Sequence, residues 1–564
     1  MNQRVVVRGG RVVDGSGLPG YTADVEMRDG RITSVGRVST AGAQVIDADG
    51  LVVAPGFIDV HTHYDAQLHF EPTASPSCWH GVTTVIVGNC GFSLAPSKPA
   101  DLPWLLRMLS RVEGMSEDAL AAGVPFAGGS MGDFLDGLEG RIGVNVAAYA
   151  GHAALRRFVM GDAASHRVAT GDEIAAMCTL MRESLEQGAI GLSTSQLDLH
   201  RDHEGNPVPC NLATREELIA LSGVLGDFPR GAIEIFPRTF GNFDGYDDDD
   251  AELLLQMAEA SAKPIHGNVL GVFPASPDGW RRNLAVAETA AARGLRIYPM
   301  LVLNPKGVHF SFDSTFIFDE YTTWREILTS PMATRMARLR DPQARERLVA
   351  ELGDPSMGSL KLTWDQVAVV ATRDDRHRSY EGRTIADIAH ESGTAPIDAL
   401  LDLAVAEGLE TMFAIRRKIA ERERAVIEQL VDHPMLMAGS SDGGAHLLTF
   451  CGADYTTRLL TDWVPSRLTL EQAVAKLTFL PAMSMGLWDR GLIRPGMAGD
   501  LVVFEPERLG VGPVRMERDF PAGASRLVFP AEGYHATLVN GEVMTRYGDS
   551  TEARPGQVLR GGAR

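Results

Sequence analysis

The chain has 564 residues, 45% of them hydrophobic and 22% charged, the balance of an ordinary globular protein. Its 53 basic residues are outnumbered by 73 acidic ones, a net charge of −20 that argues against a nucleic-acid partner. No uncharged apolar run is long enough to span a bilayer, and the 5 cysteines (Cys78, Cys90, Cys178, Cys210 and Cys451) are too scattered for a disulfide framework.

The N-terminus, MNQRVVVRGGRVVDG, lacks the apolar segment of a signal peptide, so a cytoplasmic protein with no membrane partner is expected. Assembly into a homo-oligomer stays open. One hydrophobic core rarely organises so long a chain, so a large catalytic domain with a smaller companion is expected.

Val5–Val7, Arg11–Val13, Asp24–Met27 and Arg31–Val35 are β-rich runs separated by Gly and Asp. The same texture returns in Leu501–Phe504 and Ala536–Val539, and in Glu542–Met544 after the hairpin signal Asn540-Gly541. Between these ends, apolar runs (Thr83–Gly88, Asn145–Tyr149, Ala189–Ser193, Ile233–Phe236, Pro264–Gly267, Arg296–Met300, Met435–Gly439) alternate with helical segments such as Gly171–Gln187 and Asp249–Ser261. This alternation predicts an α/β fold, a (β/α)8 TIM-like barrel, with a doubly wound sheet as the alternative. Residues 1–54 and 489–564 are expected to form a small β-sandwich domain from both chain termini, and 55–488 the barrel. Insertions are expected near 99–140 and 302–363. The second carries the aromatic run Phe310, Phe312, Phe316, Phe318, Tyr321 and Trp324, read as a lid or a pocket lining, with an extra packed hairpin or an oligomer contact as the alternative.

His61-Thr62-His63 follows an apolar strand, and i and i+2 side chains of a strand share a face, so both imidazoles can meet one metal. Asp442, in Ser440-Ser441-Asp442-Gly443, ends another apolar run, where a carboxylate can hold a metal and accept a proton. Cys90, in Gly88-Asn89-Cys90-Gly91, is a candidate thiolate ligand able to bridge two ions; Lys98 and Lys263, the lysines between His63 and His266, sit beside prolines and suit that role less. His266 ends Pro264-Ile265-His266 and suits a second metal position. His152 is a candidate for polarising a carbonyl, and His200 and His203 lie in a loop; for these three a structural role competes.

These motifs, with Gly151-His152, Pro481-Ala482, Asp489-Arg490-Gly491 and Pro495–Leu501, resemble the N-acyl-D-amino-acid deacylase (D-aminoacylase) branch of the amidohydrolase superfamily, from about Val5 to Asn540. The resemblance implies a TIM barrel with a small β-domain from both termini, and one or two zinc ions. It implies that His61, His63 and Asp442 hold one metal, that Cys90 and His266 contribute to the other, and that Asp442 is the general base. It offers Arg458 or Arg238 as the group that binds a substrate carboxylate. One departure stands out: Phe236 occupies the position of a further metal-binding His, leaving Glu234 or His200 as candidate replacements. The expected activity is zinc-dependent hydrolysis of a linear amide, an N-acyl amino acid. The alternatives are a cyclic amide, carbamoyl or bulky aryl-amide substrate, or a catalytically silent ligand-binding barrel.

Overall fold

Eight short parallel strands form the centre of the molecule: β1 (Phe57–Asp59), β2 (Val82–Val87), β3 (Asn145–Gly151), β4 (Gly191–Ser195), β5 (Ala232–Phe236), β6 (Ile265–Leu270), β7 (Ile297–Leu301) and β8 (Met437–Ala438). The computed structural model describes all residues except 1–3, 240–242, 274–275, 304–306, 314, 316, 355–356, 358–361, 417–419, 451 and 562–564. The strands are hydrogen-bonded in sequence order. Strands such as Val82–Val87 are buried at every residue, as a parallel sheet covered on its outer face by helices requires. Helices between strands start where the sequence offers a cap. Thr170 and Asp247 accept backbone N–H groups at the starts of Gly171–Glu186 and Asp248–Ser261.

Among the described residues the barrel closes through one bridge, beyond the ends of β1 and β8. Thr62 pairs with Gly443, and the His63 N–H donates to the Gly443 carbonyl at 2.7 Å. Closure and the candidate site are thus built from the same residues.

Both chain ends enter one nine-stranded sheet. Arg4–Val12 pairs with Tyr21–Arg28 and with Val52–Pro55, which pairs with Leu501–Phe504, and Tyr534–Val539 and Glu542–Arg546 continue it. Asn540 and Gly541 both have positive φ (46° and 76°), the turn their sequence predicts. Val5, Val7, Leu501 and Leu538 fill its core.

The first insertion contributes three helices: α1 (Leu102–Glu113), Glu117–Gly123 and Met131–Leu138. Leu105, Met108, Leu109 and Phe134 join the barrel's own core. The second insertion runs past residue 363, since its three-stranded sheet combines Val308–Phe310, Val367–Ala371 and Met412–Ile415. It has a separate core, and this corrects the reading of its aromatic run as a pocket lining. Phe310, Phe312, Phe318, Tyr321 and Trp324 are all buried within that core, with Phe318 stacked on Trp324 at 4.4 Å. Phe316 lies outside the described residues. Among the described residues no helix is long and apolar enough to cross a membrane.

Candidate metal centre

β1 ends at Asp59, and the chain then passes His61 and His63 on either side of the bridged Thr62. The two rings meet edge-on with centroids 5.3 Å apart. His61 Nε2 lies 3.6 Å from Cys90 Sγ and 3.1 Å from Asp442 Oδ1. His61, His63 and Cys90 each present a donor atom within 4.8 Å of the others, and all three are buried. Asp442, expected as a ligand, lies beside this group and not within it, and is more open, with 17% of its side chain exposed. Cys90 and Asp442 hold positive φ (56° and 51°), as does Ser440 (61°). Backbone strain of this kind costs about 1–3 kcal/mol per residue and gathers at functional sites. It persists here because the loops are tied down. The Ser441 hydroxyl donates to the His61 carbonyl and accepts the Gly443 N–H, and the Ser440 hydroxyl donates to Asp442.

Around these donors sits a layer of buried polar groups. Glu234 of β5 accepts the Cys90 N–H at 2.7 Å through Oε2, while its Oε1 accepts the Asn268 amide and lies 3.7 Å from His61 Nδ1. The Asn268 amide nitrogen is 3.0 Å from the same His61 Nδ1. On the other side, Glu113 at the end of α1 places Oε1 3.4 Å from His63 Nδ1 and Oε2 3.7 Å from His446 Nε2. Burial, reinforced by Asp442, pushes the Glu113 carboxyl well above the usual range. Burial raises Glu234 to about 7 and lifts the Cys90 thiol well above its ordinary value, with Glu234 adding to the latter. A thiol and several carboxyls crowded into a dry site are hard to ionise together. A divalent cation reverses that penalty, so the donor set fits one.

Across the whole chain the comparisons agree with this chemistry. The amidohydrolase family profile matches residues 44–545. The chain belongs to the amidohydrolase family. The N-acyl-D-aspartate deacylase of Alcaligenes xylosoxydans xylosoxydans is 28% identical over 568 residues, covering 99% of this chain and 95% of that protein. The D-aminoacylase of the same organism is also 28% identical, covering 98% and 97%. A crystal structure of the N-acyl-D-glutamate deacylase from Bordetella bronchiseptica, complexed with zinc and a phosphonate inhibitor, matches with a TM-score of 0.64 at 25% identity, covering 99% and 100%. The resemblance carried by the motifs therefore extends over the full fold.

This amidohydrolase departs from the sequence expectation at several positions. His266 is not in the donor cluster: its Nδ1 lies 3.5 Å from the Tyr149 hydroxyl and its ring 6.2 Å from that of Tyr298. Alternate residues of β6 share a face about 6.6 Å apart, so with Asn268 at the height of His61, His266 falls one level below. His152 has both ring nitrogens engaged, by Thr194 at 2.9 Å and Glu217 at 2.8 Å, and Glu217 also pairs with buried Arg156. Arg458 belongs to helix α2 (Tyr455–Asp462), where Thr456 and Thr457 bond to His80. His80 precedes β2 and Cys90 follows it, so roughly 20 Å of strand separates Arg458's surroundings from the metal centre. Arg458 pairs instead with Asp454 at 3.1 Å. Arg238 is exposed just beyond β5. Phe236 forms a wall with His200 and Phe92: the His200 ring lies 5.9 Å from Phe236 and 5.2 Å from Phe92. Burial pushes His200 down to about 3, and its Nδ1 is 3.0 Å from the Ser195 hydroxyl.

Three residues near the centre carry no motif: Glu113, Asn268 and His446. His446 lies four residues past Asp442, and Asn268 two past His266 on the same strand. Glu113 continues the i, i+4 stripe Leu105, Leu109, and a lone acid on an apolar stripe was the available signal.

Proposed function

We propose that this amidohydrolase is a zinc-dependent deacylase that hydrolyses the linear amide of N-acyl amino acids, including N-acyl-D-amino acids. The observation that carries the reading is Asp442 Oδ1 at 3.1 Å from His61 Nε2, on the open side of the buried His61, His63 and Cys90 donors. His61, His63 and Cys90 would hold the ion, with Asp442 beside them. Zinc held by these residues would supply Lewis-acid polarisation of an amide carbonyl and activation of water near neutral pH. Asp442 takes the proton from the attacking water and returns it to the leaving nitrogen. Glu234 holds the Cys90 backbone and faces His61, so it orients donors and does not itself replace the missing histidine. With Phe236 in β5 and His266 a level lower, one ion per chain is the occupancy this centre supports.

A second reading, a bulky aryl or cyclic amide, is favoured by the wall of Phe92, His200 and Phe236 and by the distance of Arg458 from the centre. A cytoplasmic setting fits the free state of Cys78, Cys90, Cys178 and Cys210.

Asp442→Asn is expected to lower turnover of N-acyl amino acids by at least about 10²-fold while zinc content stays near that of the parent. Near-normal turnover would remove Asp442 from the chemistry. Chelation should abolish activity and zinc should restore it, with metal analysis of the restored enzyme giving one ion per chain. A screen that includes aryl and cyclic amides separates the two substrate readings.

A further inference from the structure

We propose that Glu113, delivered by the first insertion, is a positioning residue that fixes His63 for the metal. The inference rests on the reading that His61, His63 and Cys90 hold the ion.

Glu113 stands where a carboxylate is poorly placed. It is the last residue of α1, the end of a helix that favours cations, and it is 2% exposed. Asp442, Asp65 and Glu234 lie close enough to disfavour its charge. Burying an acid among acids is costly unless basic groups face it. Two do: His63 Nδ1 at 3.4 Å and His446 Nε2 at 3.7 Å, one for each carboxyl oxygen. The backbone reinforces the placement. The Glu113 carbonyl accepts the His446 N–H, and Gly114 ends the helix with φ 65°, where a Cβ would lie 3.5 Å from His446 Cα.

His63 Nδ1 is buried with no hydrogen-bond partner among the described residues, and Glu113 Oε1, 3.4 Å away, is the acceptor that a proton on Nδ1 would need, which leaves Nε2 for a metal. Metal-bound histidines generally carry such a partner, and losing it costs about 10–100-fold in metal affinity. Glu113 stands outside the set of donors that converge within 4.8 Å, so it acts through His63 and does not ligate. Behind His61 stands the Asn268 amide at 3.0 Å, itself bonded to Glu234, whereas behind His63 stands a carboxyl group, Glu113 from the insertion. The insertion is thereby part of the metal site.

The test uses the full chain and two probes, zinc and cobalt(II). Zinc affinity is measured by chelator competition, and cobalt is read by its visible absorption, which reports ligand geometry. Glu113→Ala is expected to lose about 10–100-fold in zinc affinity, with a changed cobalt spectrum, and Glu113→Gln to lose about tenfold or less. If both variants bind zinc within twofold of the parent and give its cobalt spectrum, the inference is overturned. If Glu113→Ala fails to fold, the isosteric Glu113→Gln decides alone, parental affinity and spectrum again overturning it. A parent protein that binds neither ion overturns the metal reading itself, which is a different failure.

Discussion

The two insertions into the barrel solve the problem of extra chain in opposite ways. The first buries Leu105, Met108, Leu109 and Phe134 in the barrel's own core and ends α1 on Glu113 beside His63. The second folds around Phe310, Phe312, Phe318 and Trp324, keeps a sheet of its own, and sends none of these aromatics towards the metal donors. Length and aromatic content do not tell a functional lid from an added module. Whether a segment shares the host's core does, because shared packing fixes its end to within the fraction of an ångström a site requires.

The sharpest way to break this contrast is to hollow each core in turn. Leu105→Ala is expected to cost about 2–5 kcal/mol and to lower zinc retention together with the main thermal transition. Phe312→Ala should cost about 3–5 kcal/mol, yet loosen the second insertion before the barrel and leave zinc affinity unchanged. Calorimetry with metal titration reads both, and coincident unfolding with zinc loss in Phe312→Ala would erase the distinction. Acid offers a gentler lever. Although burial opposes its charge, Glu407 in the second insertion is held below its ordinary 4.5 by the N–H groups of Arg373 and Asp374 and by His377. A carboxyl lowered on folding stabilises above that ordinary value and loses its contribution as pH falls through the lower folded one. Glu407→Gln should therefore melt below the parent at pH 7, by about 1–3 kcal/mol, with the gap closing as the pH falls below about 4.5. The smallest effect belongs to the ion pair that joins the insertions, Arg111 to Asp319 at 2.6 Å. A double-mutant cycle with Arg111→Ala and Asp319→Ala should give no more than about 1 kcal/mol of coupling, because the Arg111 side chain is 43% exposed.

Much of the barrel was legible because its signals are periodic. Buried runs such as Thr83–Gly88 and helices such as Gly171–Gln187 fall within a few residues of the observed elements. That His61, His63, Cys90 and Asp442 come together was legible because each follows an apolar run, and strand ends are where a barrel brings distant residues together. Height along a strand was not legible. Whether His266 or Asn268 reaches the centre depends on a difference of about 6.6 Å that order alone does not encode. Arg458 misled for a related reason: a helix after β8 can turn its side chains towards either end of the barrel, and the bonds of Thr456 and Thr457 to His80 fix which. Glu113 was hidden because an insertion has no strand register to locate it.

The bridge between Thr62 and Gly443 also sets a clock. The residues on its two sides, His61 and Asp442, are separated by 381 positions in the chain. At about 5–20 residues per second, a ribosome needs roughly 20–75 s to make the second after the first. Throughout that interval the nascent chain carries two histidines and a thiol with no closed barrel around them and no partner carboxylate from β8. Asp442 joins them only once β8 has been made, so the closed centre forms late in synthesis and not when its first donors appear.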